Sequence, residues 1–167
     1  MAGPLIVTAD LGPADIAWLD AQRRAYFPPE RNQLAAHLTM FHALPPSLEE
    51  DVRRHLKGLS SAPPPNATIA SLMNLGGGVA YRVLSPELVL IREEIADHFH
   101  GSLTAQDSGG WRPHVTIQNK VPSAEAKILL ERLERDFHQR SLTIRGLALH
   151  HYLGGPWDLV GRFPFRF

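Results

Sequence analysis

Two nine-residue stretches constrain this chain more than any other feature. His37-Leu38-Thr39-Met40-Phe41-His42-Ala43-Leu44-Pro45 and His114-Val115-Thr116-Ile117-Gln118-Asn119-Lys120-Val121-Pro122 share His at the first position, Thr at the third and Pro at the ninth, with apolar residues at the second, fourth and eighth. The apolar matches are what any buried strand favours. The joint match of His, Thr and Pro is not, and it marks the chain as two copies of one plan.

The surrounding pattern repeats as well. Leu5 to Leu11 reads as a buried strand, Gly12-Pro13 opens a helix with Ile16, Leu19 and Tyr26 on one stripe, and Ala36 to Ala43 reads as the next strand. Pro45-Pro46 turns the chain, Ser47-Leu48-Glu49-Glu50 predicts a capping box, and Val52, Leu56 and Leu59 continue the apolar stripe begun by Leu48. Ser61 to Asn66 reads as a loop, after which Thr68 to Leu75 and Val79 to Leu84 flank Gly76-Gly77-Gly78 as a hairpin. A helix then starts at Ser85-Pro86, with Leu88, Ile91, Ile95 and Phe99 on one face, and a polar loop runs from Gly101 to Gly110. His114 to Asn119 is the matching strand. Pro122-Ser123 leads into a helix carrying Ala126, Leu130, Leu133 and Phe137, and strands at Leu142 to Leu153 and Trp157 to Phe165 finish the chain. The predicted order is β-α-β-α-β followed by β-α-β-α-β-β, a sequence repeat of roughly 4–76 and 78–167 within a single domain spanning 1–167. A length of 167 residues fits one domain with a sizeable core.

Alternate residues on a strand share a face, so His37 and Thr39 lie opposite Leu38 and Met40, and His114 and Thr116 lie opposite Val115 and Ile117. Burying an imidazole and a hydroxyl without partners costs on the order of 1–3 kcal/mol each. A cleft removes that cost. If the halves pair about an approximate two-fold axis, two imidazoles and two hydroxyls meet across one groove. One neutral imidazole then takes a proton from an attacking oxygen while a protonated one donates to the leaving oxygen on the far side of phosphorus, and each Thr hydroxyl donates to a non-bridging oxygen.

Composition narrows the field. Lys+Arg and Asp+Glu are 17 each, giving zero formal charge, so no bulk field grips a long polyanion. A small phosphate ester or one RNA end needs only local donors. The absence of Cys excludes disulfides, thiolate metal sites and thiol nucleophiles. The amino-terminal stretch has no basic region and too short an apolar run for a signal peptide, and no run approaches ~18 apolar residues, so a cytoplasmic location without membrane association is expected.

The duplicated His37-Leu38-Thr39 and His114-Val115-Thr116 resemble the paired motifs of the two-histidine phosphoesterase superfamily, and most closely its 2′-5′ RNA ligase-like and RNA 2′,3′-cyclic phosphodiesterase branch. The resemblance covers nearly the whole chain in element order. It implies a bilobal α+β fold, with two pseudo-symmetric halves whose mostly antiparallel sheets form a central cleft and whose lobes interleave. It also implies hydrolysis of 2′,3′-cyclic phosphates without a metal or other cofactor, on RNA ends or small cyclic nucleotides, with His37 as general acid, His114 as general base, and Thr39 and Thr116 beside them. A departure follows each motif: Met40-Phe41-His42-Ala43-Leu44 stands where better-known members often carry Phe-Leu-Gly, and Gln118-Asn119-Lys120 follows the second. RNA 2′-5′ ligation and a non-catalytic nucleotide or RNA-end binding module are the alternative readings, and a monomer is expected.

Further candidates come from position. Phe41 and Gln118 continue the faces of the His-Thr pairs and are predicted to floor the cleft, Phe41 by stacking on a base or ribose, with simple core packing as its other reading. Arg112 stands just before the second motif, either near phosphate or solvated. Tyr81 and Arg82 adjoin on one strand, so at most one faces a ligand. His42 is expected on the opposite strand face from His37, which argues against a shared metal. His98 and His100 end a helix, where a cation suits the dipole, and His150 and His151 alternate faces. Arg162 and Arg166 read as a solvated edge, or alternatively as a phosphate-tracking strip.

Overall fold

The computed structural model describes residues 3–167, Met1 and Ala2 lying outside the described residues. Its eight strands are β1 (Leu5–Leu11), β2 (Leu38–Leu44), β3 (Ala67–Asn74), β4 (Val79–Leu84), β5 (His114–Gln118), β6 (Arg140–Leu142), β7 (Ile144–Tyr152) and β8 (Trp157–Pro164). The helices are α1 (Pro13–Tyr26), α2 (Glu49–Leu59), α3 (Pro86–His98), the one-turn α4 (Ala105–Ser108) and α5 (Ser123–Arg135). Among the described residues no helix is long and apolar enough to cross a membrane.

The strands form two four-stranded sheets, in the orders β2-β1-β7-β8 and β5-β4-β3-β6, and every pairing is antiparallel. Each sheet draws on both halves of the repeat. The third strand of the first half, β3, pairs with β4, while its counterpart β7 pairs with β1. The single strand expected over Leu142 to Leu153 is therefore two: β6 ends in one sheet and β7 begins in the other, with Thr143 at the crossing. The start of α1 pins that crossing. The Gly12 amide donates to the Thr143 carbonyl at 2.9 Å, and the Thr143 amide donates to the buried Asp15 carboxylate at 2.8 Å.

One apolar cluster, including Leu5, Val7, Leu38, Met40, Ile69, Val115, Ile117 and Leu149, runs through both sheets. Helices α2 and α5 cover it with Val52, Leu56 and Leu129. Burial of such side chains contributes roughly 1.5–3 kcal/mol each. Ser85 caps α3 as its sequence predicts, accepting the Leu88 amide at 3.2 Å. The capping box at Ser47 does not form: Pro46–Leu48 make a single 3-10 turn and α2 starts at Glu49 without a side-chain cap. The Gly101–Gly110 segment holds a 3-10 turn and α4, and α5 stops at Arg135, short of Phe137. Gly78, at the β3–β4 turn, lies against the Gln118 carbonyl, where a Cβ would sit 1.9 Å from that oxygen. Only glycine admits so close an approach.

Candidate active site

Both motif histidines sit at the start of their strands rather than in the interior: His37 immediately precedes β2 and His114 opens β5. The segment ahead of each is tied down. Asp20 on α1 accepts the Ala36 amide at 2.5 Å, and the Val83 amide donates to the Pro113 carbonyl at 2.9 Å. His37 Nδ1–H donates to the Ala35 carbonyl at 2.7 Å, and His114 Nδ1–H donates to the Arg112 carbonyl at 2.8 Å. A carbonyl only accepts, so Nδ1 carries the proton in both rings and each Nε2 is the free nitrogen.

His37, Thr39, His114 and Thr116 line one cleft of about 430 Å³, with Arg112 on its exposed rim. Ties from outside the motif strands hold both Thr backbones: Trp111 Nε1 donates to the Thr39 carbonyl at 3.1 Å and Arg23 Nη1 to the Thr116 carbonyl at 2.9 Å. Arg92 on α3 also lines the cleft and lies over the Phe41 ring at 4.3 Å, while its Nε donates to the Met40 carbonyl at 3.2 Å. Beneath it Asp107 is fully buried, accepting the His42 and Ala43 amides at 2.8 and 2.9 Å. Burial pushes the Asp107 carboxyl up, but hydrogen bonds from the His42 ring and these two amides outweigh it and hold the group below its ordinary value.

His37 is only partly exposed, and crowding around its ring pushes its pKa down to about 4. Desolvation is the main cause. The Ala35 hydrogen bond opposes it, and the nearby Arg23, His150 and His114 reinforce it. His37 is therefore neutral in the free site at pH 7. Trp157, the first residue of β8, packs against it with ring centroids 4.6 Å apart and also lines the cleft.

The structure brings the two His-Thr pairs and Arg112 together and leaves Phe41, Gln118 and Tyr81 elsewhere. Thr8 faces Thr39 and Val7 faces Phe41, so Met40 is an extra residue on β2; Ala80 faces Thr116 and Val79 faces Gln118, so Ile117 is extra on β5. A bulge thus follows each motif at the same point and reverses the alternation beyond it. Phe41 turns into the core at 0% exposure and Gln118 at 3%, where its Oε1 has no hydrogen-bond partner among the described residues. The expectation that they floor the cleft is corrected accordingly. Tyr81 is buried on the far side of its sheet, its hydroxyl donating to Gln22 and its ring packed on Trp18. The bulge in β2 also swings His42 onto the cleft side, opposite to the face expected for it. His42, Arg92, Trp111 and Trp157 are cleft residues that sequence reasoning missed. For His42 a signal existed: polar residues stand at the sixth position of both stretches, His42 and Asn119, where strict alternation would put them against the core.

Comparison with known proteins identifies the family and the fold. The family model for the 2′-5′ RNA ligase superfamily matches residues 12–156. No curated protein matches the chain. Among solved structures, TT0787 of Thermus thermophilus superposes with a TM-score of 0.66 at 14% identity, covering 98% of each chain. E. coli LigT complexed with 3′-AMP gives 0.62 at 14% identity over 100% of each chain, and LigT complexed with NADP+ gives 0.60 at 14% over 99% of each. These likenesses share the α+β architecture of two antiparallel sheets. With the family model covering most of its length and a His-x-Thr motif in each half, the chain belongs to the 2′-5′ RNA ligase superfamily of two-histidine phosphoesterases.

Proposed function

We propose that this protein hydrolyses 2′,3′-cyclic phosphates at RNA ends or on small nucleotides, using His37 and His114 as its proton carriers. One observation carries the reading: both rings hold Nδ1 on a backbone carbonyl and line the same cleft, so each offers its Nε2 there. Neutral at pH 7, His37 is suited to be the base, which reverses the assignment implied by the resemblance and leaves the acid role to His114. His37 Nε2 takes the proton of an attacking water as its oxygen bonds to phosphorus. The bond from phosphorus to one ribose oxygen breaks on the opposite side, and that oxygen receives the proton from His114 Nε2. Thr39 and Thr116 donate to the non-bridging oxygens, where negative charge builds up. The two imidazoles handle both proton transfers of this step, and one chain contributes both halves of the site, consistent with a monomer at work. The solved complexes of LigT with 3′-AMP and NADP+ support a phosphorylated nucleoside as the ligand class.

The test is incubation of the protein with 2′,3′-cyclic nucleotides and cyclic-phosphate-ended oligonucleotides in excess chelator, beside His37→Ala and His114→Ala. Turnover that survives chelation and collapses in either variant supports the reading. Binding without product identifies a non-catalytic module, and joining of RNA ends through a 2′-5′ bond identifies ring opening by a 5′-hydroxyl in place of water as the principal reaction.

A further inference from the structure

We infer that a basic groove beside the cleft holds the strand of an RNA whose end is being processed, an inference that rests on the cyclic-phosphate reading above. Arg53, Arg54 and Lys57 on α2 and Arg162 and Arg166 from the β8 end of the chain line a groove of about 640 Å³, where Glu50 is the only carboxylate among the described residues. In a chain of zero formal charge, five cations against one acid is a local departure that the totals conceal. Arg53 sits 3.9 Å from Glu49 and Arg162 3.6 Å from Asp10, whereas Arg54, Lys57 and Arg166 have no ion pair among the described residues. Three cations are thus available to a ligand.

Continuity with the cleft gives the groove its meaning. A second cavity, of about 660 Å³, shares His37 and Trp157 with the cleft and Arg162 with the basic groove. Trp157 and Arg162 reach this cavity from one strand because β8 is itself bulged: Leu149 faces Gly161 and His150 faces Leu159, so Val160 is the extra residue. Between Trp157 and Arg162 the paired β7 advances four residues, from Tyr152 to Ala148, about 13 Å at ~3.3 Å per residue. A mononucleotide held at His37 and His114 does not span that distance. A strand a few nucleotides long does, with its backbone phosphates meeting the unpaired Arg54, Lys57 and Arg166. Arg forks suit phosphate oxygens, and the half-buried Phe163 ring in the groove offers a surface for a base. An acidic polypeptide also matches the charge, but only a polynucleotide carries the phosphate ester that the adjoining cleft would act on.

The experiment compares a fluorescein-labelled ten-nucleotide RNA ending in a 2′,3′-cyclic phosphate with cytidine 2′,3′-cyclic phosphate, for wild type, Arg54→Glu/Lys57→Glu and Arg166→Gln. Anisotropy over a salt series gives RNA affinity without requiring turnover. Loss of two phosphate contacts lowers the steepness of log affinity against log salt by about 1.4, at ~0.7 per contact for single strands. The ratio of kcat/KM for RNA over mononucleotide is expected to fall at least tenfold in the double variant and several-fold in Arg166→Gln. An unmoved ratio and slope overturn the groove, as does competition by poly-glutamate equal to that of RNA. Hydrolysis of both substrates with an unmoved ratio defeats the groove alone. RNA binding that depends on these residues, with neither substrate hydrolysed, defeats the hydrolase reading and leaves the groove in place.

Discussion

His37 and His114 hold the same relationship to their own backbones, each ring donating through Nδ1 to the carbonyl two residues upstream, at 2.7 and 2.8 Å. The hydrogen bond fixes the tautomer, so neither residue has to select its reactive nitrogen during turnover. Replacement of either by Ala is expected to reduce kcat by about 10²–10⁴-fold, the usual contribution of a positioned acid or base. Because the two act on one event, the double variant is expected to be little worse than the poorer single one. Single-turnover rates on a cyclic nucleotide check both statements.

Thr39 and Thr116 offer hydroxyls from β2 and β5 into the same cleft. Thr→Val at either keeps shape and removes the donor, and is expected to lower kcat by about 10- to 10³-fold with little change in KM, since the donor matters most where charge develops. Thr→Ser is expected to retain most of the rate. A loss confined to KM would assign these residues to ground-state binding instead.

The depressed His37 sets a pH signature. In kcat/KM, which reports the free enzyme, the acid limb assigned to a base at His37 falls near pH 4 rather than at the ordinary value of 6.5. Stability moves with the same group. A His whose folded pKa lies below its unfolded value contributes fully above about pH 6.5, and that contribution is lost as pH falls toward 4. His55 and His150, each lowered first of all by desolvation, act in the same direction. Urea midpoints measured from pH 8 to pH 4 are expected to fall steadily below pH 6.5, and less steeply in His55→Phe.

Asp107 joins α4 to β2 through the His42 and Ala43 amides, and the carbonyl of the same residue accepts from Arg92 Nη2 at 2.6 Å. Asp107→Ala strands two part-buried amides and is expected to cost about 2 kcal/mol, within the range for lost charged hydrogen bonds and unsatisfied donors. Asp107→Asn, which keeps one acceptor, is expected to cost less. Chemical denaturation distinguishes them, and equal losses would contradict the role given to the second oxygen.

What the sequence disclosed and what it withheld have physical reasons. The repeat, the element order and the two His-x-Thr pairs were legible because strand alternation and helical stripes are local, and because a duplication supplies its own control. The bulges at Met40 and Ile117 arise from pairing with β1 and β4, and the sequence marks them only indirectly, through the polar His42 and Asn119 that strict alternation would put against the core. Strict alternation therefore puts Phe41 and Gln118 in the cleft and His42 outside it, the reverse of where they lie. The exchange of β3 and β7 between sheets, the arrival of Trp157 beside His37 and the convergence of α2 with Arg162 and Arg166 are long-range as well. Net charge, a sum over the whole chain, hid the groove, of which the sequence offered only Arg162 and Arg166, as the alternative reading of that edge.

The claim that two imidazoles act on opposite sides of one phosphorus is tested most directly by a crystal structure with uridine 2′,3′-cyclic vanadate, a mimic of the five-coordinate state. The account predicts His37 Nε2 and His114 Nε2 each within about 2.6–3.2 Å of oxygens on opposite sides of the vanadium, with the Thr39 and Thr116 hydroxyls on the equatorial oxygens. A vanadate contacted by only one of the two rings, or seated away from both, would contradict it.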